Sequence, residues 1–442
     1  MSDDKRTPSK PLRVIEICAG AGGQSLGLEL AGFEHALAIE LDENAAATLK
    51  HNRPRWDVVI GDVAAIPARD EEFDPEIHTW DPNKPEYEGI DLIAGGVPCP
   101  PFSIAGKQKG SSDERDLFAW AVELVGRMQP RAVLLENVRG LSMPRFAGYR
   151  QWVKDRLAEL GYWSSWTLLE ARDYGVPQLR PRFILVALRS DDARYFAWPE
   201  PTTYEGGVGD ALYDLMASGG WKGAAAWREK ANANIAPTIV GGSKKHGGAD
   251  LGPTRAKRAW AALSVDAMGV ADAVPTAEHP ENFVPKLTTE MVARIQGWQP
   301  GSEYDWEFTG RKTTRYRQIG NAFPPPVAHA VGDSIRKALL HEGEAKDLAD
   351  TEAEVMHEPL YVALKNAEGP LTAKQLIKAA GGKIDMRDFE QRIALLARDF
   401  DIKTEGDDET DRTYMLGAFK GFVGQNDHLR REAFETAKNK IS

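Results

Sequence analysis

Along the first third of the chain, short apolar runs alternate with longer stretches of helical periodicity. Val14-Ile15-Glu16-Ile17 is a β-branched run that meets the loop Ala19-Gly20-Ala21-Gly22-Gly23, and an amphipathic stretch follows from Ser25 to Ala31. His35 to Leu41 is a second strand-like run, with Glu40 at its end. Asp57 to Ile60 leads into Gly61-Asp62, Asp91 to Ala94 into Gly95-Gly96-Val97-Pro98-Cys99, and Ala132 to Leu135 into Glu136-Asn137. Short, nearly continuous apolar runs suit strands buried on both faces, and the helical stretches between them supply the crossovers. The pattern predicts an α/β fold built on a doubly wound, parallel, Rossmann-like sheet. Ligands of such sheets bind beyond the carboxyl ends of the strands. Here each of those ends carries glycine, an acid or cysteine.

After Gly161 the pattern changes. Ser164 to Glu170 and Phe183 to Leu188 read as a strand pair around the loop Asp173 to Arg182. Residues 190–285 are irregular and rich in Gly, Pro and Trp, which suggests a smaller second domain. Helical patterning returns at Leu287 to Gly297, and after Arg315 to Val327 a further helix runs to about His341. In the tail, Leu371 to Gly381 reads as a helix with a capping threonine and a terminal glycine. Met386 to Phe400 is a second helix, and Asp401 to Met415 reads as two short strands around Glu405-Gly406-Asp407-Asp408. The expected organisation is an α/β domain over 1–189, an irregular domain over 190–285, and a segment over 286–341 that returns to complete the first domain. A charged linker, 342–358, then leads to a small α+β, winged-helix-like tail over 359–442. The acidic hairpin of that tail suits a protein contact or a structural role better than a DNA wing.

Composition narrows the picture. A length of 442 residues allows two or three domains. With 42% hydrophobic and 27% charged residues the balance is an ordinary globular one that argues against wholesale disorder. No run reaches the ~18 apolar residues of a membrane span, and MSDDKRTPSKPLR has no apolar core of a secretory signal. The two cysteines, Cys18 and Cys99, exclude a disulfide framework and a cysteine-rich zinc module. The expected compartment is the cytoplasm, where a thiol stays reduced. The net charge of -11 argues against general nucleic-acid affinity, but local patches decide that question. From His341 onward there are 15 basic and 21 acidic residues, which leaves the first 340 residues at -5. Within those, Gly241 to Trp260 holds five basic residues and one acid.

Several residues could carry chemistry. A strand, a glycine turn and a helix start bring backbone N–H groups close to a ligand. Glu40, about 20 residues beyond Gly20, suits two ribose hydroxyls. The AGAGG spacing lacks the full dinucleotide fingerprint, so the loop taken alone is equally a tight turn. With Glu40 and Asp62 beside it, an adenosine-containing ligand is favoured. Prolines on both sides of Cys99 stiffen its loop, and the thiol is either a nucleophile or an inert buried side chain. Glu136 could be an acid or hydrogen-bond partner in the same crevice. Taken singly, Glu136 would more often form a surface salt bridge, and Arg180 and Arg182 phosphate contacts or surface charge. Pro237 to Ser243, followed by Lys244, Lys245, Arg255, Lys257 and Arg258, fits a glycine loop that approaches a backbone, plus phosphate-binding cations. Its alternative is a solvated loop.

The combination is more specific than its parts. In chain order, Glu16-Ile17-Cys18-Ala19-Gly20-Ala21-Gly22-Gly23, Gly96-Val97-Pro98-Cys99, Glu136-Asn137-Val138, Gln178-Leu179-Arg180-Pro181-Arg182 and Gly320-Asn321-Ala322-Phe323-Pro324 resemble the DNA (cytosine-5)-methyltransferase family. The resemblance spans about Arg13 to Leu340. It implies methyl transfer from S-adenosyl-L-methionine to carbon 5 of cytosine, without a metal. It makes Cys99 the nucleophile and places Glu136 on the N3 and amino edge of the base, with Arg180 and Arg182 holding the base and its loop. The cofactor would lie against Cys18, Ala19, Gly20, Gly22, Gly23, Glu40, Leu41, Asp62, Val63, Pro98, Leu117, Asn321 and Ala322. Residues 190–285 would recognise double-stranded DNA, with Ser103 and the five cations above as DNA contacts. A cognate restriction endonuclease is an expected partner. Three departures from the family pattern stand out: Cys18 where phenylalanine is usual, Glu16 where aspartate is usual, and Pro100 where glutamine is usual. Alternatives are an RNA cytosine-5 methyltransferase, a non-catalytic DNA-binding regulator on the same fold, and, from the glycine loop and Glu40 alone, a nicotinamide-dependent oxidoreductase.

Overall fold

The computed structural model describes residues 11–98, 116–241, 249–348, 358–406 and 411–420. Five strands, β1 (Leu12–Ile17), β2 (Phe33–Glu40), β3 (Val58–Ile60), β4 (Leu92–Gly95) and β5 (Ala132–Val138), lie parallel. Two more, β6 (Tyr162–Glu170) and β7 (Pro181–Arg189), extend the same sheet antiparallel, giving the order β3-β2-β1-β4-β5-β7-β6. The expected parallel sheet is therefore a mixed one with an antiparallel edge pair, a common variant of doubly wound sheets.

Strand alternation sends successive side chains to opposite faces. Ile15, Ile17, Leu37, Ile39, Val133 and Leu135 pack with α3 (Leu117–Met128) and α4 (Ala147–Glu159). Val14, Leu92, Ala94 and Leu134 pack on the other face with α1 (Gly23–Leu30) and α11 (Pro325–Leu339). Helix α2 (Glu43–Asn52) starts on Asp42, whose carboxylate accepts from Asn44 N and Ala45 N. A short α5 (Ser190–Ala193) follows β7.

The region expected to be irregular contains α6 (Val208–Ala217), α7 (Ala224–Ala231) and α8 (Thr254–Ala262). None of the three has a side-chain cap, so the usual start signals are missing from the sequence. Packing of Leu212, Met216, Trp227 and Trp260 into one core takes their place. That core also takes residues from α9 (Thr289–Ile295) and α10 (Lys312–Asn321), including Met291, Ile295, Tyr316 and Ile319. The returning segment thus serves two bodies: α9 and α10 join the core of α6, α7 and α8, and α11 joins the sheet.

The tail comprises α12 (Pro359–Lys365), β8 (Leu371–Thr372), α13 (Ala373–Ala379), α14 (Met386–Asp399), β9 (Phe400–Glu405) and β10 (Thr413–Phe419). Its antiparallel sheet has the order β8-β10-β9. Helix, strand, helix, helix, hairpin is the element order of a winged helix. Thr372 caps α13 as expected, and Gln375 completes the capping box. Among the described residues, no helix is long and apolar enough to cross a membrane.

Candidate active site

The strand register aligns the chemistry along one edge. Ile17 pairs with Ile39 and Gly95, and Gly95 pairs with Leu135. The next residues, Cys18, Glu40, Gly96 and Glu136, therefore form a row at the carboxyl edge of the sheet. Each comes from a different strand, so local sequence could not reveal the alignment.

Glu136 is buried, at 9% exposure, and its Oε1 lies 2.6 Å from Arg182 Nε. Burial raises its pKa above the ordinary carboxylate value, and the charges of Arg182 and Arg180 oppose that shift. A Cβ placed on Gly96 would lie 3.5 Å from Glu136 Oε2. The neighbouring Asn137 Nδ2 donates to Val97 O at 3.2 Å. The carboxyl group thus stands beside the backbone that leads through Pro98 into Cys99. Cys99 itself lies outside the described residues, as do Ser103, Lys244 and Lys245.

The surface-charge alternatives for Glu136, Arg180 and Arg182 are overturned by burial, since all three are buried. Arg180, at 1% exposure, is a clamp. Its Nη1 donates to Ile239 O at 2.6 Å, and its Nη2 donates to Gly320 O at 2.8 Å and Ala322 O at 2.9 Å. One guanidinium, just before β7, thus joins the segment at Ile239 and the end of α10. Burial, and next the charge of Arg182, push its pKa well below the usual guanidinium range.

On the other half of the row, Ala19 N donates to Ile39 O at 3.0 Å, holding the glycine loop against β2. Glu40 Oε2 accepts from Gly20 N at 2.7 Å, and Oε1 accepts from Asp42 N at 2.8 Å. A carboxylate has about four acceptor sites, so capacity for further donors remains. Burial raises the Glu40 pKa above its ordinary value, against the lowering effect of these backbone bonds. Cys18 has φ 51°, an uncommon left-handed conformation for a non-glycine residue. Asp62 Oδ1 accepts from Ala64 N at 2.9 Å, Val63 is buried, and Leu41 is 62% exposed. Leu117 is buried in the first turn of α3, and Asn321 and Ala322 close α10.

Trp306 was not legible as a site residue. Its Nε1 donates to Ala21 O at 2.9 Å, and its ring lies 2.4 Å from where a Cβ on Gly22 would be. Gly22, at φ 100°, thus serves both the turn and the tryptophan. Nothing in the irregular stretch around Trp306 signals this contact.

The basic run differs from its reading as a loop. Arg255, Lys257 and Arg258 lie on α8. Arg255 and Arg258 are exposed, whereas Lys257 Nζ pairs with Asp250 at 2.7 Å. Gly241 does not offer its backbone to an outside ligand: a Cβ there would sit 2.5 Å from Arg317 O and Asn321 Oδ1. It is small because α10 packs directly on it. Among the described residues, no group of three or more His, Cys, Asp or Glu could hold a metal ion.

The family model of the C-5 cytosine-specific DNA methylases matches residues 12–337. The chain is 59% identical over 431 residues to the type II methyltransferase M.NaeI of Lentzea aerocolonigenes, covering 98% of this chain and 99% of that protein. It is 48% identical over 332 residues to the type II methyltransferase M.NgoMIV of Neisseria gonorrhoeae, covering 74% of this chain and 98% of that protein. It is 34% identical over 368 residues to the type II methyltransferase M.Eco47II of Escherichia coli, covering 75% of this chain and 81% of that protein.

Proposed function

Because this chain belongs to the C-5 cytosine-specific DNA methylase family, we propose that it methylates one defined sequence in duplex DNA through a covalent Cys99 adduct, as the protective half of a restriction–modification pair. It is a DNA (cytosine-5) methyltransferase, and the family implies S-adenosylmethionine as donor. One observation carries the mechanistic reading: Glu136 is buried against Arg182 beside the backbone that enters Pro98-Cys99.

The chemistry explains why such groups are needed. C5 of cytosine is a weak nucleophile. Addition of the Cys99 thiolate to C6 moves electron density to C5, which then behaves as an enamine carbon. Glu136, held by Arg182, faces N3 and the amino group and carries a proton to N3 as that density shifts. S-adenosylmethionine supplies the electrophilic methyl group. Transfer of the C5 proton to water then re-forms the C5–C6 double bond and expels Cys99 as thiolate, while N3 returns its proton to Glu136. Neither carbon is reachable in a stacked duplex, so the base must flip out, at a cost of a few kcal/mol that contacts with Glu136 and Arg182 offset.

The residues along this edge of the sheet fit the donor. Cys18, Ala19, Gly20, Gly22 and Gly23 form the loop, Glu40 would hold the ribose, Asp62 and Val63 the adenine side, and Leu117, Pro98, Leu41, Asn321 and Ala322 the remaining walls. Gln24 and Ser25, in the first turn of α1, bury side-chain polar atoms that have no hydrogen-bond partner among the described residues, as a polar ligand would require. Glu40→Ala is expected to weaken binding of S-adenosylhomocysteine by about 1–3 kcal/mol and to leave DNA affinity unchanged. Calorimetric titration reads this directly, and an unaltered dissociation constant assigns the ribose to another group.

Residues 190–285 would set the target sequence, and α8 would meet phosphates. Neutralising Arg255 or Arg258 should lower the slope of log K against log salt by about 0.9 each, with the methylated sequence unchanged. Lys257, already paired with Asp250, should contribute less. The similarity to type II methyltransferases supports the restriction–modification context, and a cognate endonuclease acting on the same site in the cytoplasm would be the partner. The reading is tested by bisulfite sequencing of DNA from cells expressing the chain, beside labelled methyl transfer to duplex DNA and to RNA. One recurrent methylated sequence in duplex DNA supports it. Labelled RNA with unlabelled DNA, or DNA labelled without sequence preference, overturns it.

A further inference from the structure

The C-terminal domain docks on α4. Trp152 of α4 stacks on Phe419 of β10, with ring centroids 3.8 Å apart and planes 13° from parallel. Gly148 lies against α14: a Cβ there would come within 2.5 Å of Leu396 Cδ2, so a glycine lets the two helices approach. At the rim, Asp155 accepts from Tyr361 Oη at 2.8 Å and pairs with Lys365 Nζ at 2.6 Å.

One tyrosine connects this dock to the catalytic domain. Tyr149 is fully buried, and its ring lies 5.7 Å from Phe419 and 6.5 Å from Phe118 of α3. Its hydroxyl donates to Asp116 Oδ1 at 2.7 Å. Asp116 is itself fully buried and caps α3, accepting from Ala119 N at 3.0 Å. A buried carboxylate depends on its donors, and a hydroxyl in this position fixes its rotamer and hence the helix start. Phe118 continues the contact to Trp166 at 5.4 Å, and Trp166 continues it to Phe183 at 4.8 Å, the residue after Arg182.

We propose that the C-terminal domain is a positioning module for the methyl-donor site: Phe419 holds Tyr149, and Tyr149 acts as a positioning residue that sets Asp116 and the first turn of α3. That turn carries Leu117, so the inference rests on the reading of Leu117 as a wall of the donor site. A domain that only covered the apolar side of α4 would contribute stability and nothing more. A positioning module must also change donor affinity, and it must do so through Tyr149.

The full-length protein is compared with Tyr149→Phe, Phe419→Leu and the double variant by calorimetric titration with S-adenosylhomocysteine, DNA titration and steady-state kinetics. Each single change should raise the S-adenosylhomocysteine dissociation constant about threefold to tenfold, the range expected for one lost hydrogen bond. KM for S-adenosylmethionine should rise by the same factor while kcat and DNA affinity stay within about twofold. The double variant should bind no more weakly than Tyr149→Phe alone, because both changes act on one contact. If Phe419→Leu loses its fold, Asp155→Ala loosens the same dock from the rim and takes its place in the cycle. An unchanged dissociation constant in Tyr149→Phe overturns the proposal, as do independent, multiplying effects in the double variant. Wild-type protein that methylates DNA while a Leu117→Ala variant keeps full S-adenosylhomocysteine affinity overturns it as well. Wild-type protein that fails to bind S-adenosylhomocysteine at all instead overturns the donor-site reading on which it rests.

Discussion

Cys99→Ala is expected to abolish methyl transfer and covalent trapping together, the largest effect of any single change. Without addition at C6, carbon 5 never gains the electron density to accept a methyl group. Cys18, the other cysteine, lies in the glycine loop after β1, the strand that pairs with β4. DNA with 5-fluorocytosine in the target supplies the decisive measurement. Fluorine cannot leave as a proton does, so wild-type protein should remain attached to such DNA through denaturing electrophoresis. Cys99→Ala should bind the DNA and release it on denaturation. A Cys99→Ala protein that still methylates at a comparable rate would sink the covalent mechanism.

Glu136→Gln is expected to lower the single-turnover rate by about 10²–10⁴-fold, the usual worth of a positioned general acid. Glutamine keeps the shape of the side chain but cannot share a proton with N3. It also leaves Arg182 without the carboxylate at 2.6 Å. Donor affinity should survive, since Glu40 and the glycine loop lie on the other half of the row. The pH profile gives a second reading. Burial holds the Glu136 pKa above its ordinary value, so its protonated form persists to higher pH than an exposed carboxyl would allow. A group that acts as an acid is lost as pH rises through its pKa, so the wild-type rate should decline along that limb and the glutamine variant should lack it. An unchanged single-turnover rate in Glu136→Gln would remove the residue from the chemistry.

The sequence by itself was enough for the parallel part of the sheet and for the chemistry-bearing side chains at its carboxyl edge. Strands buried on both faces must be apolar without interruption, so runs such as Val14 to Ile17 and Ala132 to Leu135 are visible with no partner in view. Chemistry at their carboxyl ends is equally local: Glu40, Asp62, Pro98-Cys99 and Glu136 each lie at the end of a run or within five residues beyond it. The capping threonine of α13 was legible for the same reason, since Thr372 and Gln375 are three residues apart.

What only the tertiary structure decided involves residues far apart in the chain. Arg180 could not be distinguished from a phosphate contact until its guanidinium was seen on Ile239, Gly320 and Ala322, up to 142 residues away. Trp306 reaches Ala21 across 285 residues. Helices α6, α7 and α8 lack side-chain caps and form because Met216, Trp227 and Trp260 share a core with Met291 and Tyr316. Gly241 read as a loop open to DNA, and its smallness instead answers to Asn321. The antiparallel turn of β6 and β7, and the seat of the C-terminal domain on Trp152, likewise depend on which surfaces meet. Propensity and capping act over a few residues and leave a trace in every short window. Packing is settled only when distant segments exclude water from each other, and no short window contains both partners.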